Sequence, residues 1–345
     1  MKPKQIILLS LILGVLALGI LLKAWVRFAE DRAGSAQGSG VSIVDFDPAQ
    51  VAKILIAEGV QTPSVALAKE EGTWRVKTLW NAKADPAKVG SFLQKLRSAR
   101  GEVRGSGKNI FPDFGIQDTD AFSIKLLGAG DAPLADLRLG KKRAGEESYF
   151  LRKGSGEDVY LVDLNMAELL GIHLDFEKAK LLSDPWADLG LFILDPEKVT
   201  QLTVYRLKGE QRTMALGLVR ETDPKEPSKN SWKFMRKDMT SPVDPGKVLK
   251  FIATLASIKA QKVVDPSGKD YGLEKPVWQL GVTEGDKKTL LSAGPKAAKE
   301  ELYYVKNSSE NTLFSLSAGY FDDLNSDDTR FVKESAPAGV TEKKP

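Results

Sequence analysis

The strongest constraint on this chain is a stretch that occurs twice. Asp85-Pro-Ala-Lys-Val-Gly-Ser-Phe-Leu-Gln-Lys-Leu-Arg-Ser98 returns as Asp244-Pro-Gly-Lys-Val-Leu-Lys-Phe-Ile-Ala-Thr-Leu-Ala-Ser257, with Asp, Pro, Lys, Val, Phe, Leu and Ser in register and no gap. Each copy reads as an amphipathic helix. Asp85 or Asp244 caps the first free N–H groups, and the following proline takes the first helical position, where its missing donor costs nothing. Val89, Phe92, Leu93 and Leu96 fall on one face of the first helix, and Val248, Phe251, Ile252 and Leu255 on one face of the second. A buried face written twice predicts a duplicated module.

The repeat extends beyond the helices. Phe46-Asp47-Pro48 and Leu194-Asp195-Pro196 open the two copies, and each is followed by three short alternating runs, the third carrying Trp74 or Trp232. After the helix come Phe114-Gly115-Ile116 and Tyr271-Gly272-Leu273. Further runs follow, including Tyr149-Phe-Leu-Arg152 and Tyr303-Tyr-Val-Lys306, and short helical closes at 166–170 and 320–324. Alternation with period two marks half-buried antiparallel strands. Strands gathered on both sides of a single helix predict an α+β fold: two tandem copies of a mainly antiparallel β module, each with one amphipathic helix.

Ile6 to Leu22 is an unbroken run of apolar and small residues, flanked by Lys2 and Lys4 on one side and Lys23, Trp25 and Arg27 on the other. It meets the lower length limit of about 17 residues for a bilayer span. The nearest small-x-small cleavage site, Gly34-Ser35-Ala36, lies beyond a charged stretch, so an uncleaved transmembrane anchor is expected rather than a signal peptide. A short basic tail ahead of a large domain places the tail in the cytoplasm and the domain across the membrane, periplasmic or extracytoplasmic. The expected order is a tail at 1–5, an anchor at 6–22 and a tether at 23–40. Modules at 41–187 and 188–333 and a disordered tail at 334–345 complete the chain.

Two considerations exclude whole classes of function. The 50 basic and 46 acidic residues are mixed along the chain and leave a net charge of +4, unlike a nucleic-acid reader with its positive charge on one face. The absence of cysteine removes thiolate nucleophiles, disulfides, Fe–S clusters and Cys-based zinc sites.

The N-terminal anchor, the strand tryptophans Trp74 and Trp232, the Asp-Pro-started helix, the Tyr-Gly-Leu turn and the Tyr-Tyr-Val-Lys strand together resemble the domain-of-unknown-function family numbered 4340. The resemblance covers about residues 41–333, twice over, and the second copy is the closer match. The first departs from it with Phe114 and Ile116 in the turn and Phe150 and Leu151 in the strand. What the resemblance implies is an exported, membrane-anchored protein, of a type associated with gliding-motility ABC transport systems, with no activity attached.

Few residues invite a chemical role. Trp74 and Trp232 could stack a sugar or peptide, but matched strand positions are expected to be core. Gly115 and Gly272 mark a turn needing positive φ or a close backbone approach. Lys141-Lys142-Arg143 reads as a hairpin tip. Asp323, Asn325, Asp327 and Glu334 echo a calcium loop, with Glu334 at the twelfth place, but Asp328 stands where the loop needs glycine and Arg330 adds a positive charge. His173 is the only histidine and has no triad or metal motif around it. Catalytic, cofactor-binding and metal residues are therefore expected to be absent. The expected role is a non-enzymatic accessory or scaffold subunit of a membrane complex, held in the inner membrane by Ile6–Leu22 and binding protein partners. The alternative is an enzyme acting on envelope glycans or peptides, or a ligand-binding protein, using a cleft between the modules.

Overall fold

The alternating runs become antiparallel strands in the computed structural model of the protein, which describes residues 40–172, 180–222, 230–268, 270–297, 300–310 and 312–334. In the first copy these are β1 (Val41–Ser42), β2 (Lys53–Glu58), β3 (Val65–Glu70), β4 (Thr73–Val76), β5 (Ala82–Lys83), β6 (Arg100–Ser106), β7 (Phe122–Leu127), β8 (Pro133–Lys142), β9 (Ser148–Lys153) and β10 (Asp158–Asp163). In the second they are β11 (Val199–Lys208), β12 (Gln211–Thr222), β13 (Asn230–Phe234), β14 (Lys262–Val263), β15 (Trp278–Glu284), β16 (Lys287–Ala293), β17 (Leu302–Asn307) and β18 (Leu313–Ser317). The helices are α1 (Pro86–Ser98), α2 (Phe111–Phe114), α3 (Met166–Leu170), α4 (Pro245–Ser257) and α5 (Ala318–Leu324). Sheets with a few segregated helices make an α+β fold.

The duplication is visible strand by strand. The first sheet runs β1-β6-β10-β9-β8-β7-β2-β3-β4-β5, and the second, read from its other end, runs β14-β18-β17-β16-β15-β11-β12-β13. Stripped of β1 and β5, the first order is the second, each strand standing where its repeat stands. Inward-facing residues alternate as the pleat requires: Ile54 and Ile56 on β2, and Leu202 and Val204 on β11, are wholly buried. Each such side chain contributes about 1.5–3 kcal/mol through removal of apolar surface from water.

Both repeated helices start the same way. The Asp85 carboxylate accepts from the N–H groups of Ala87 at 2.9 Å and Lys88 at 3.2 Å. That of Asp244 accepts from Gly246 at 2.8 Å and Lys247 at 3.2 Å. Asp47 and Asp195 cap 3-10 turns by the same contact at the opening of each copy, to Ala49 and Glu197. The eight apolar face residues of α1 and α4 are all buried.

The chain divides into two compact units. One holds the described parts of Met1–Val51, with Ile56–Thr62 and Ser91–Lys180; the other holds Ala52–Leu55, Pro63–Gly90 and the described parts of Leu181–Pro345. The second unit thus contains β3 to β5 as well as the whole of the second sheet.

Each unit carries one version of a repeated lock. In the first, Gly115 closes α2 at φ 63°, and Phe114 packs on Phe150 of β9 with ring centroids 4.6 Å apart. In the second, Gly272 takes φ 68° and Tyr271 packs on Tyr304 of β17 at 4.5 Å. A second glycine completes each lock: a Cβ on Gly140 would overlap the Phe114 carbonyl, and one on Gly294 the Tyr271 carbonyl. The turn glycine supplies the left-handed backbone, and the second glycine, within β8 or just past the end of β16, lets that turn lie directly on the sheet.

Among the described residues no helix is long and apolar enough to cross a membrane. The anchor run Ile6–Leu22, the tether up to residue 39, His173 and the tail from residue 335 lie outside the described residues.

Candidate functional site

Two successive turns in the second unit build the most distinctive surface of the protein. The first joins β3 to β4 through Glu71 and Gly72, which both have positive φ (49° and 81°), with Glu70 opposite Thr73. That is the backbone pattern of the two-residue hairpin turn whose twist matches the strands. The second runs from Leu79 to Ala82, whose N–H donates to the Leu79 carbonyl at 3.0 Å. Its central residues, Trp80 and Asn81, have φ of 48° and 60°.

Asparagine tolerates this left-handed region, but tryptophan is rare there because its Cβ crowds the following carbonyl. Four non-glycine residues among those described have positive φ, and three of them, Glu71, Trp80 and Asn81, border the same cleft. Trp80 is 48% exposed, so burial does not account for its placement. Trp80→Gly is expected to be more stable than Trp80→Ala by about 1 kcal/mol, since glycine alone relieves the strain at this φ. Urea unfolding of the two variants checks this, and equal stabilities would show an unstrained turn.

The cleft encloses about 680 Å³ and is lined by Trp80 and Asn81, by Glu70, Glu71, Thr73 and Arg75 of the hairpin, and by Glu310 and Thr312 between β17 and β18. Its charges are cross-linked. Arg75 Nη1 donates to Glu310 Oε2 at 2.8 Å, with both side chains about three-quarters buried. Lys77 Nζ donates to Glu70 Oε1 and to Asn81 Oδ1, each at 2.7 Å, and Asn81 Nδ2 donates to Glu70 Oε2 at 3.4 Å. Glu310 and Thr312 also border a smaller pocket of about 190 Å³, whose other walls include Lys83, Asp188 and Asn307.

The Lys77 ammonium, and after it the Asn81 amide, hold Glu70 below the ordinary carboxylate range. A depressed folded pKa means that this network stabilises the fold above the unfolded value of 4.5 and that the contribution is lost as pH falls through the lower folded value. Lys77→Ala should move the Glu70 side-chain titration upward in carboxylate NMR. An unchanged midpoint would show that the lysine does not hold the carboxylate.

The residues singled out in sequence lie elsewhere. Asp85 and Asp244 are helix caps, and Gly115 and Gly272 are the turn positions of the repeated lock. Trp232 is buried at 8% exposure and Trp74 is half-buried on β4. Lys141 reaches the Asp113 carbonyl at 3.2 Å, while Lys142 pairs with Glu147 and Arg143 with Glu146 across the β8–β9 hairpin.

The oxygens of the calcium candidate have other partners. Asp327 caps Thr329 and faces Arg206, the Asn325 side-chain oxygen accepts from Arg206 at 3.5 Å, and Glu334 pairs with Lys247 at 3.1 Å. Asp328, at the place a calcium loop gives to glycine, is buried at 2% exposure, accepts from the Gly217 N–H at 3.1 Å and pairs with Arg236 at 3.2 Å. These contacts spread the oxygens over separate partners. Among the described residues no group of three or more histidine or acidic side chains is placed to hold a metal ion.

The sequence reading missed Trp80. Its signal was an aromatic next to asparagine in a stretch between strands. The second copy reads Met235-Arg-Lys-Asp-Met-Thr-Ser-Pro-Val243 before its helix and has no aromatic residue there.

The fold therefore defines a duplicated α+β protein whose first copy carries, at Trp80, an exposed aromatic residue that the sequence of the second copy lacks. Residues 74–241 and 232–336 each match the family described as Domain of unknown function (DUF4340), and the chain belongs to that family. No curated protein and no solved structure matches the chain.

Proposed function

We propose that this protein is a non-enzymatic accessory or scaffold subunit of an envelope complex, anchored in the membrane by Ile6–Leu22 and working beside an ABC-type transport system of the gliding-motility kind. The observation that carries the binding role is Trp80: a half-exposed tryptophan in a strained backbone conformation, at the edge of a cleft and in a stretch where the second copy has no aromatic residue. Backbone strain is kept where it serves a task, and an aromatic with one open face is common among residues that anchor partners. The anchor confines the search for a partner to the membrane plane and raises its effective concentration. The transporter association follows from the family resemblance.

The test is purification of the full-length protein from gently solubilised native membranes after in vivo cross-linking, with mass spectrometry of what accompanies it. Permease or ATPase subunits of a transporter at near-stoichiometric amounts, lost with Trp80→Ala, are the expected result. Recovery of the protein alone overturns the reading.

A further inference from the structure

We infer that the Trp80 cleft receives the ammonium or guanidinium group of a lysine- or arginine-bearing segment of a partner protein. This rests on the accessory-subunit reading and specifies the chemistry of the partner.

Charge selects the occupant. Three carboxylates, Glu70, Glu71 and Glu310, line the cleft against one guanidinium, Arg75. Arg75 is committed to Glu310, and the neighbouring Lys77 to Glu70 and Asn81. With Glu310 held by Arg75 and Glu70 by Lys77, three carboxylates against two cations leave one negative charge in excess, and an anionic ligand would have to approach it or break these pairs. A cation meets the reverse situation: the fixed positive charges are already compensated, and Glu71 at the hairpin tip is exposed.

Trp80 adds the second element of recognition. Its ring face is electron-rich, and a cation placed over tryptophan gains more than over any other side chain, most of all when water is excluded. The volume of about 680 Å³ lies within the ordinary range for ligand sites and leaves room for a long side chain with its flanking backbone. A core role would give the tryptophan no reason to stay half in solvent with its backbone at φ 48°.

The experiment is calorimetric titration of the full-length protein in detergent micelles with acetyl-Arg-Gly-Arg-Gly-Arg-amide. The same peptide with glutamate for arginine and an N-acetylglucosamine hexamer serve as comparisons. Binding of the basic peptide alone is expected, weakening as salt is raised. Trp80→Ala should lower its affinity about tenfold, the size of a desolvated cation–aromatic contact. Trp80→Phe should recover part of the loss, and Glu71→Gln should cost a smaller factor, about threefold. Thermal unfolding of each variant confirms that the fold persists, and the phenylalanine variant keeps the test valid if the alanine variant does not fold.

Equal binding of the acidic peptide or the oligosaccharide overturns the inference, as does unchanged affinity in both Trp80 variants. The two readings fail separately. If the basic peptide does not bind but transporter subunits still co-purify in a Trp80-dependent way, the cation inference falls and the accessory role stands. If the peptide binds as expected and no transporter subunit accompanies the protein, the cation site stands and the accessory role falls.

Discussion

Phe251→Ala is expected to lower the unfolding free energy by about 3–5 kcal/mol, a large share of the ~5–15 kcal/mol of an ordinary domain. Phe251 sits in the middle of the apolar face of α4 and is 1% exposed. Its ring meets Phe331 edge to face at 5.4 Å, and the Arg330 guanidinium lies 5.3 Å from its centroid. Truncation removes the transfer free energy of the ring and leaves a cavity that strands on one side and the Asp328–Phe331 turn on the other cannot collapse to fill. The internal control is Leu249→Ala on the same helix. Leu249 is 55% exposed, and its loss should change stability by no more than about 0.5 kcal/mol. Urea unfolding of the two variants decides the matter, and a loss below about 1 kcal/mol at Phe251 would mean that the repeated helix face is not a core face.

The second large effect is expected at Arg152. This residue of β9 is 3% exposed, and its guanidinium is fully engaged. Nε donates to the Ile116 carbonyl at 2.8 Å, Nη2 to Asp118 at 2.8 Å, and Nη1 to the Gly154 carbonyl, while the plane lies 4.7 Å from the Phe111 ring centroid. Arg152→Ala strips the buried Ile116 carbonyl and the part-buried Gly154 carbonyl of their donors and should cost about 2–4 kcal/mol, at about 1–3 kcal/mol for each group left unsatisfied, while Asp118, 57% exposed, keeps Arg138. Arg152→Lys should recover less than half of this, because a point charge cannot serve three acceptors arranged for a fork. Arg152→Met, which keeps the packing and loses the donors, separates the two contributions. A methionine variant as stable as the native protein would show that the arginine serves only to fill space.

Much of the architecture was legible in the sequence because it is local. An aspartate before a proline declares a cap whatever surrounds it, and Val248, Phe251, Ile252 and Leu255 declare a face by spacing alone. The glycines of Phe-Gly-Ile and Tyr-Gly-Leu were legible as turn positions, since only backbone geometry asks for glycine between an aromatic and an aliphatic residue. Their partners, Gly140 and Gly294, were not, because what they accommodate is a carbonyl from a distant segment. Asp328 stood out in sequence only as the residue at a calcium loop's glycine position, and only the packing of β12 against its turn reveals it as buried. Trp80 was hidden for a related reason. Sequence shows which residues favour positive φ, but it does not show when tertiary structure imposes that conformation on a residue that disfavours it.

The ends of the sheets carry a consequence of their own. A chain with the same strand order written twice risks joining sheet to sheet with its neighbours, because any long free edge is a template for another strand. Three of the four ends here, β1, β5 and β14, are only two residues long, too short to template much pairing. The fourth, β13, carries Lys233 paired to Glu221 at 2.5 Å, and a foreign strand docking there would have to meet that charge. The duplication thus enlarges the protein while each sheet, among the described residues, ends in a short or charged strand.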